Sequence, residues 1–271
     1  MEHDFLVDCH VHTEFSFDSE AKLSDITASA LEAGLRGFTV TDHCEICVAG
    51  VNEFWSFDSM RASFEAAREA AEKSGGKPEI YAGVELGQPN HHPSTAEKVL
   101  AQCDYDCVLA SVHYLRDGGD FYYLDYINEF DPYAVYDDYL DEIMEVVKMD
   151  CFDSLAHITY PLRYIINRDH IDFDESRFYG KYDDILSLLA KNGKALEINT
   201  SGGRKNHFIL PDNYILTRFR ELGGRYITLG SDAHRAFGVG GSFDEGVALA
   251  KAAGFETVTH YVKHKPVETR V

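Results

Sequence analysis

The chain is short of positive charge: 25 lysines and arginines face 46 aspartates and glutamates, for a formal net charge of −21. Such a balance repels nucleic acid and anionic membranes and favours cations. It has no run of 18 apolar residues, and residues 1–6 are not a basic region leading into a long apolar stretch. No membrane span or secretion signal is therefore expected, and the expected location is cytoplasmic. Cysteine is sparse as well. The six at positions 9, 44, 47, 103, 107 and 151 do not form a disulfide framework in a chain of 271 residues without a signal. Cys44-x-x-Cys47 with Cys103-x-x-x-Cys107 fits a zinc ribbon poorly, because the pairs are far apart and Cys107 lies in a strand-like run. Cys9, Cys107 and Cys151 are expected to fill the core as small apolar groups. No Pro- or Ser-rich linker divides the chain, so one domain over residues 1–271 is expected, the size of a single barrel.

What the chain does have is alternation. Short β-prone runs at Phe5–Asp8, Gly37–Thr41, Ile80–Glu85, Val108–Val112, Ser154–Ala156, Ala195–Ile198 and Tyr226–Leu229 alternate with helical stretches. The helices are expected near 24–34, 59–74, 94–102, 132–149, 176–192, 211–222 and 243–253. Ser24, Asp58, Ser94 and Asp131 are candidate N-caps, and Gly34, Gly193 and Gly223 sit where helices should stop. A βα repeat of this kind argues for an α/β fold with a parallel sheet and right-handed crossovers. Residues 256–268 alternate enough for a terminal strand or hairpin.

The residues that close the strands carry the chemistry. His10 and His12 follow the first run, and in an extended backbone their rings share one face. The second run leads into Asp42 and His43, the third ends on Glu85, the fourth on His113 and the fifth on His157. The sixth leads to Asn199 and then Arg204, and the seventh to Asp232 and His234. In α/β barrels the carboxyl ends of the strands hold the active site. Gathering so many polar groups at one pole without partners would cost several kcal/mol, a cost that bound metal ions remove.

These motifs, His10-Val-His12, Thr41-Asp42-His43, Gly83-Val-Glu85, Ser111-Val-His113, Ala156-His157 and Ser231-Asp-Ala-His234, resemble those of the PHP (polymerase and histidinol phosphatase) superfamily. Gly83-Val-Glu-Leu-Gly-Gln88 and Glu197-Ile-Asn-Thr-Ser-Gly202 look most like its stand-alone histidinol-phosphate phosphatase branch. The resemblance implies a distorted (β/α)7 TIM-like barrel with three divalent ions, zinc, iron or manganese. By the same resemblance, His10, His12, Glu85 and Asp232 hold the first ion. Glu85 bridges to a second ion on His113 and His157, and Asp18, His43 and His234 hold a third. Glu14 and Glu20 are alternatives to Asp18 in the same loop. Asp42 is expected to be a supporting or capping group. Glu85, Asp232 and His234 are the implied catalytic residues.

Two ions sharing a carboxylate can activate a bridging hydroxide and neutralise charge in an in-line displacement at phosphorus. A phosphate monoester also needs cations on its far side. Arg163 and Arg204 are the candidate phosphate binders, with Arg116 and Arg235 in reserve. The stretch Asp117-Gly-Gly-Asp-Phe-Tyr-Tyr123 could wall the organic half of the substrate. The expected activity is hydrolysis of a small phosphate ester, L-histidinol phosphate first among them, as in histidine biosynthesis. The alternatives are another phosphate ester or nucleotide, or a nuclease-like phosphodiesterase. A nuclease would carry a basic groove with interleaved aromatics, for which no Lys/Arg run exists. A barrel hydrolase of C–N bonds would more usually place a metal-bridging lysine at a strand end, and none ends on one.

Overall fold

The computed structural model describes residues 4–46, 55–116, 119–203 and 208–271. Its strands are β1 (Val7–Val11), β2 (Gly37–Val40), β3 (His43–Glu45), β4 (Glu79–Gly87), β5 (Cys107–Ser111) and β6 (Ser154–Leu155). They continue as β7 (Ala195–Gly202), β8 (Phe208–Leu210), β9 (Ile227–Gly230), β10 (Thr257–Val262) and β11 (Lys265–Arg270). The helices are α1 (Leu23–Glu32), α2 (Phe57–Ser74), α3 (Pro93–Leu100), α4 (Pro132–Met149), α5 (Tyr179–Lys191), α6 (Asn213–Glu221) and α7 (Phe243–Ala252).

Seven strands pair in parallel in the order β1-β2-β4-β5-β6-β7-β9. The last returns to the first: Asp232 N–H donates to His10 O at 2.8 Å and His12 N–H to Ala233 O at 3.0 Å. The sheet thus curls into the expected distorted barrel. Its strands are buried on both faces, as crossover helices require. The helices follow from their stripes. In α4, Val135, Tyr136, Tyr139, Leu140, Ile143, Val146 and Val147 are buried at helical spacing. Among the described residues no helix is long and apolar enough to cross a membrane.

Several local expectations change. β1 runs to Val11 instead of Asp8, because its end bonds to both β2 and the β9 loop, so His10 lies inside the strand. β4 continues past Glu85 to Gly87, because β3 pairs with it there, His43 opposite Glu85. Neither β3 nor β8, which is antiparallel to β7, was anticipated. Of the expected N-caps only Asp131 serves, accepting from Tyr133 N–H at 3.0 Å. Ser24, Asp58 and Ser94 fall inside their helices. α2 is capped earlier by Ser56 in a reciprocal bond with Ser59, α1 starts after Lys22, and Pro93 opens α3. Gly34, Gly193 and Gly223 do stop their helices at positive φ. The terminal hairpin is present as β10–β11 and sits at the amino end of the barrel. Lys263 N–H donates to Asp106 Oδ1 at 3.1 Å, and His264 Nδ1 lies 2.9 Å from Asp153 Oδ2. Cys9 and Cys107 are buried as expected, Cys151 is only half-buried, and Cys47 lies outside the described residues.

Candidate active site

At the opposite, carboxyl end the strands deliver their polar groups to one place. His10 is on β1 and His12 just past it, Glu85 is on β4, and Asp232 is on the loop after β9. His10 Nε2 and His12 Nε2 are 3.0 Å apart, and Glu85 Oε2 lies 3.4 and 3.5 Å from them. Asp232 Oδ1 is 3.3 Å from His12 and 3.7 Å from His10. The other Glu85 oxygen faces the next pair, 3.0 Å from His157 Nε2 and 3.3 Å from His113 Nε2, whose rings approach to 3.4 Å. In a third group His43 Nε2 and His234 Nε2 are 3.3 Å apart, with Asp18 Oδ2 at 3.6 and 3.0 Å. All nine expected ligand residues therefore lie together at this pole, with Glu85 between His10 and His12 on one side and His113 and His157 on the other; His43, expected only with Asp18 and His234, also reaches Glu85 Oε2 through Nδ1 at 2.8 Å. Glu20 turns outward to Arg235 and does not compete with Asp18.

Their partners show what the sets can hold. His10 Nδ1 donates to Glu197 Oε1 at 2.6 Å. His12 Nδ1 donates to Ser16 Oγ at 3.1 Å, since the Ser16 proton goes to Asp42 Oδ1 at 2.8 Å. Both Nε2 atoms are left as acceptors, and at 3.0 Å two acceptors require a proton or a cation between them. Glu85 Oε2 is buried and also lies 2.8 Å from His43 Nδ1, so one carboxylate oxygen faces three imidazoles. Soft-to-borderline nitrogen and hard oxygen donors in this mixture suit zinc, iron or manganese, so the donor set fits divalent ions.

Electrostatics say the same. Burial opposes charge throughout, yet the carboxylates around them raise His10 and His43 well above the usual imidazole range and His113 to about 10. Burial with the neighbouring His234 and His43 rings lowers His12 to about 3. Despite burial, the imidazoles hold Glu85 and Asp232 far below the ordinary carboxylate range and Glu45 at about 2. Buried carboxylates are thus balanced by imidazole protons, which divalent ions replace on binding.

The backbone is bent to make this possible. His157 and Asp232 both take positive φ, 21° and 52°, a conformation costing of order 1–3 kcal/mol for such residues. Glu197 Oε2 accepts the His157 N–H at 2.9 Å, and His10 O accepts that of Asp232. A Cβ on Gly230 would run into Glu197 Oε1 and His10 Cβ, and one on Gly87 into the Glu45 carboxylate. Glycine at these two positions leaves room for the acids behind the histidines.

Two of those acids carry no expected role in the sequence. Glu45 Oε1 lies 2.8 Å from His113 Nδ1 and 3.1 Å from His43 Nδ1, and Glu197 backs His10. The available signal was a charged residue inside an otherwise apolar run, Cys44-Glu-Ile46 and Leu196-Glu-Ile198. Asp42 takes the supporting role expected of it. It accepts from Thr13 N–H at 2.6 Å and from the Thr13, Ser16 and Ser63 hydroxyls, fixing the loop that carries Asp18.

A cavity of about 400 Å³ opens over the second and third sets. Arg163 lines it and donates to Ser201 Oγ at 2.7 Å and Asn199 Oδ1 at 3.2 Å, with Asp232 Oδ2 3.6 Å away. Arg204 lies outside the described residues. The reserve arginines serve elsewhere: Arg116 pairs with Glu142 and Arg235 with Glu20. Asp120, Tyr122 and Tyr123 do line the cavity as the expected wall, with Tyr114, Tyr160, Tyr164 and Phe17, while Phe121 is buried beneath. Asp117 and Gly118 lie outside the described residues.

The family model described as "PHP domain" matches residues 8–201. The chain is 31% identical over 263 residues to a "Histidinol-phosphatase" of Lactococcus lactis subsp. lactis, covering 94% of each chain. It is 29% identical over 251 residues to a "Probable histidinol-phosphatase" of Thermotoga maritima, covering 93% of this chain and 94% of that one. Among solved structures it resembles the histidinol phosphate phosphatase of Lactococcus lactis subsp. lactis complexed with zinc, L-histidinol and phosphate. That likeness has a TM-score of 0.80 at 25% identity and covers 97% of this chain and 99% of the other.

Proposed function

Because the chain belongs to the PHP domain family, we propose that it is a metal-dependent phosphomonoesterase that hydrolyses L-histidinol phosphate to L-histidinol and phosphate. The observation that carries this reading is the buried Glu85 carboxylate, with one oxygen toward His10 and His12 and the other toward His113 and His157. His10, His12, Glu85 and Asp232 would hold one divalent ion, Glu85, His113 and His157 a second, and Asp18, His43 and His234 a third. Ions held there supply Lewis acidity, which activates water and neutralises the charge of a phosphoryl group in transfer. Glu85, Asp232 and His234 act at the reacting centre, the first by joining two sets and the others by facing the cavity.

Arg163 orients the phosphate. Its guanidinium is held by Ser201 and Asn199 and stacked over Tyr160, 5.3 Å from the ring centroid, so its fork is placed before substrate arrives. Preorganisation matters in a chain of net charge −21, whose general field repels a phosphate ester. The aromatic wall excludes water from the organic half of the ligand. The test is phosphate release from a panel of monoesters and diesters by protein loaded with zinc, iron or manganese. L-Histidinol phosphate is expected to give the highest kcat/KM. Release from none of the monoesters, or a preference for a diester, overturns the reading.

A further inference from the structure

The wall of the cavity holds one carboxylate that the metal sets do not use. Asp120 caps a short turn at Phe121–Tyr123, with Oδ1 accepting the Tyr122 N–H at 2.7 Å. No cation pairs with it among the described residues, although it lies half-buried in the cavity lining. Around it the lining is aromatic: Tyr114, Tyr122, Tyr123, Tyr160 and Tyr164. An unpaired acid among aromatic faces is a poor place for a phosphate and a good place for an organic ammonium, which gains from both the charge and the rings. Arg163, Phe17, Glu45 and members of the three ligand sets make up the rest of the lining, so Asp120 is the lining carboxylate that stands apart from the imidazoles and from Arg163.

We propose that Asp120 is the specificity residue for a primary ammonium on the substrate, so that the enzyme selects aminoalkyl phosphates over phosphate esters lacking the amine. The assignment rests on the phosphomonoesterase reading of this site and adds to it the residue that reads the amine. The bland account of Asp120 is that it only caps the turn. Asparagine caps as well as aspartate does, so Asp120→Asn keeps that bond and removes only the charge.

The test compares wild type and Asp120→Asn on three esters: L-histidinol phosphate, its des-amino analogue 3-(imidazol-4-yl)propyl phosphate, and p-nitrophenyl phosphate. Wild type is expected to prefer the amine-bearing ester over the des-amino one by about 10- to 100-fold in kcat/KM, the range of one hydrogen bond to a charged group. Asp120→Asn should erase that preference through KM and leave turnover of the two amine-free esters within about twofold of wild type. An unchanged preference in the variant overturns the assignment, as does a wild type indifferent to the amine. Loss of all three activities together would show that Asp120 acts structurally, which also overturns it. Failure of wild type on every phosphate ester overturns the phosphomonoesterase reading itself, and with it this one; the two failures are therefore told apart.

Discussion

The Glu45 carboxylate accepts the Nδ1 proton of His113 across 2.8 Å, and that bond decides which nitrogen of the ring faces Glu85. Glu45 Oε2 meanwhile accepts from Gln88 Nε2 at 2.8 Å, so both of its oxygens are committed to donors. Glutamine in its place can offer one acceptor only, and its amide would confront either His113 Nδ1–H or the Gln88 amide. Supporting groups of this kind are worth about 10- to 100-fold in metal affinity. Glu45→Gln is therefore expected to weaken metal binding by that factor and to regain activity as metal is raised. Metal titration by calorimetry checks this, and an unaltered affinity would remove Glu45 from the centre.

Glu85 offers a sharper loss. It is fully buried, and its charge is balanced by His10, His43 and His113 rather than by packing. Glu85→Gln keeps the volume and removes the charge shared by two ligand sets. Phosphate release should fall by at least about 100-fold, the scale of losing one electrostatic stabiliser at a reacting centre. Circular dichroism should remain that of wild type. A variant with full turnover would exclude a shared carboxylate.

On the proposed reading, Arg163 variants should separate phosphate recognition from metal binding. Arg163→Ala leaves the ligand sets intact but removes the fork between Ser201 and Asn199. KM for the phosphate ester should rise about 10- to 100-fold, as for one charge-assisted hydrogen bond, with metal content by elemental analysis unchanged. Arg163→Lys should recover little of this, because a lysine keeps the charge and lacks the bidentate geometry. Unchanged KM and kcat in both variants would take Arg163 out of the site.

The barrel and the gathering of its candidate ligands were legible because both depend on local pattern. Apolar runs ended in His, Asp or Glu, and a parallel sheet brings the ends of its strands to one pole. What supports them was not. Glu45 needed β3, a three-residue strand whose only cause is pairing with the end of β4, which no local propensity encodes. Glu197 is the third residue of a buried strand, where its sequence reads as a misplaced charge until His10 is seen beside it from a strand 187 positions away. The missed N-caps have the same origin. Ser24, Asp58 and Ser94 are good capping types, but Ser56 and Pro93 start their helices earlier, within the one- or two-residue margin that composition leaves open. Arg116 and Arg235 follow candidate ligands more closely than Arg163 does, by three and one residues against six. Only the tertiary positions of Glu142 and Glu20 draw them away.

A last prediction concerns stability and a group that is not among the candidate ligands. Burial, with the charge of Asp212, raises Glu175 from an ordinary 4.5 to about 7, against a hydrogen bond from Tyr182. Between about pH 4.5 and 7 the folded chain holds a proton on Glu175 that the unfolded chain has already lost. Unfolding then releases a proton, so this group's contribution to stability falls as pH rises through that window and its penalty is complete above about pH 7. Glu175→Gln carries no such titration, and Asp174 still accepts the Ser176 N–H that starts this turn. The melting temperature of the variant relative to wild type should therefore climb from pH 5 to pH 8. The general charge is nearly the same in both, −21 in the wild type and one unit less negative in the variant, so its effect largely cancels in the difference. Thermal unfolding of metal-loaded wild type and variant at pH 5, 6, 7 and 8 makes the comparison. A difference that stays constant across the series would show that Glu175 titrates in the folded chain as it does in the unfolded one.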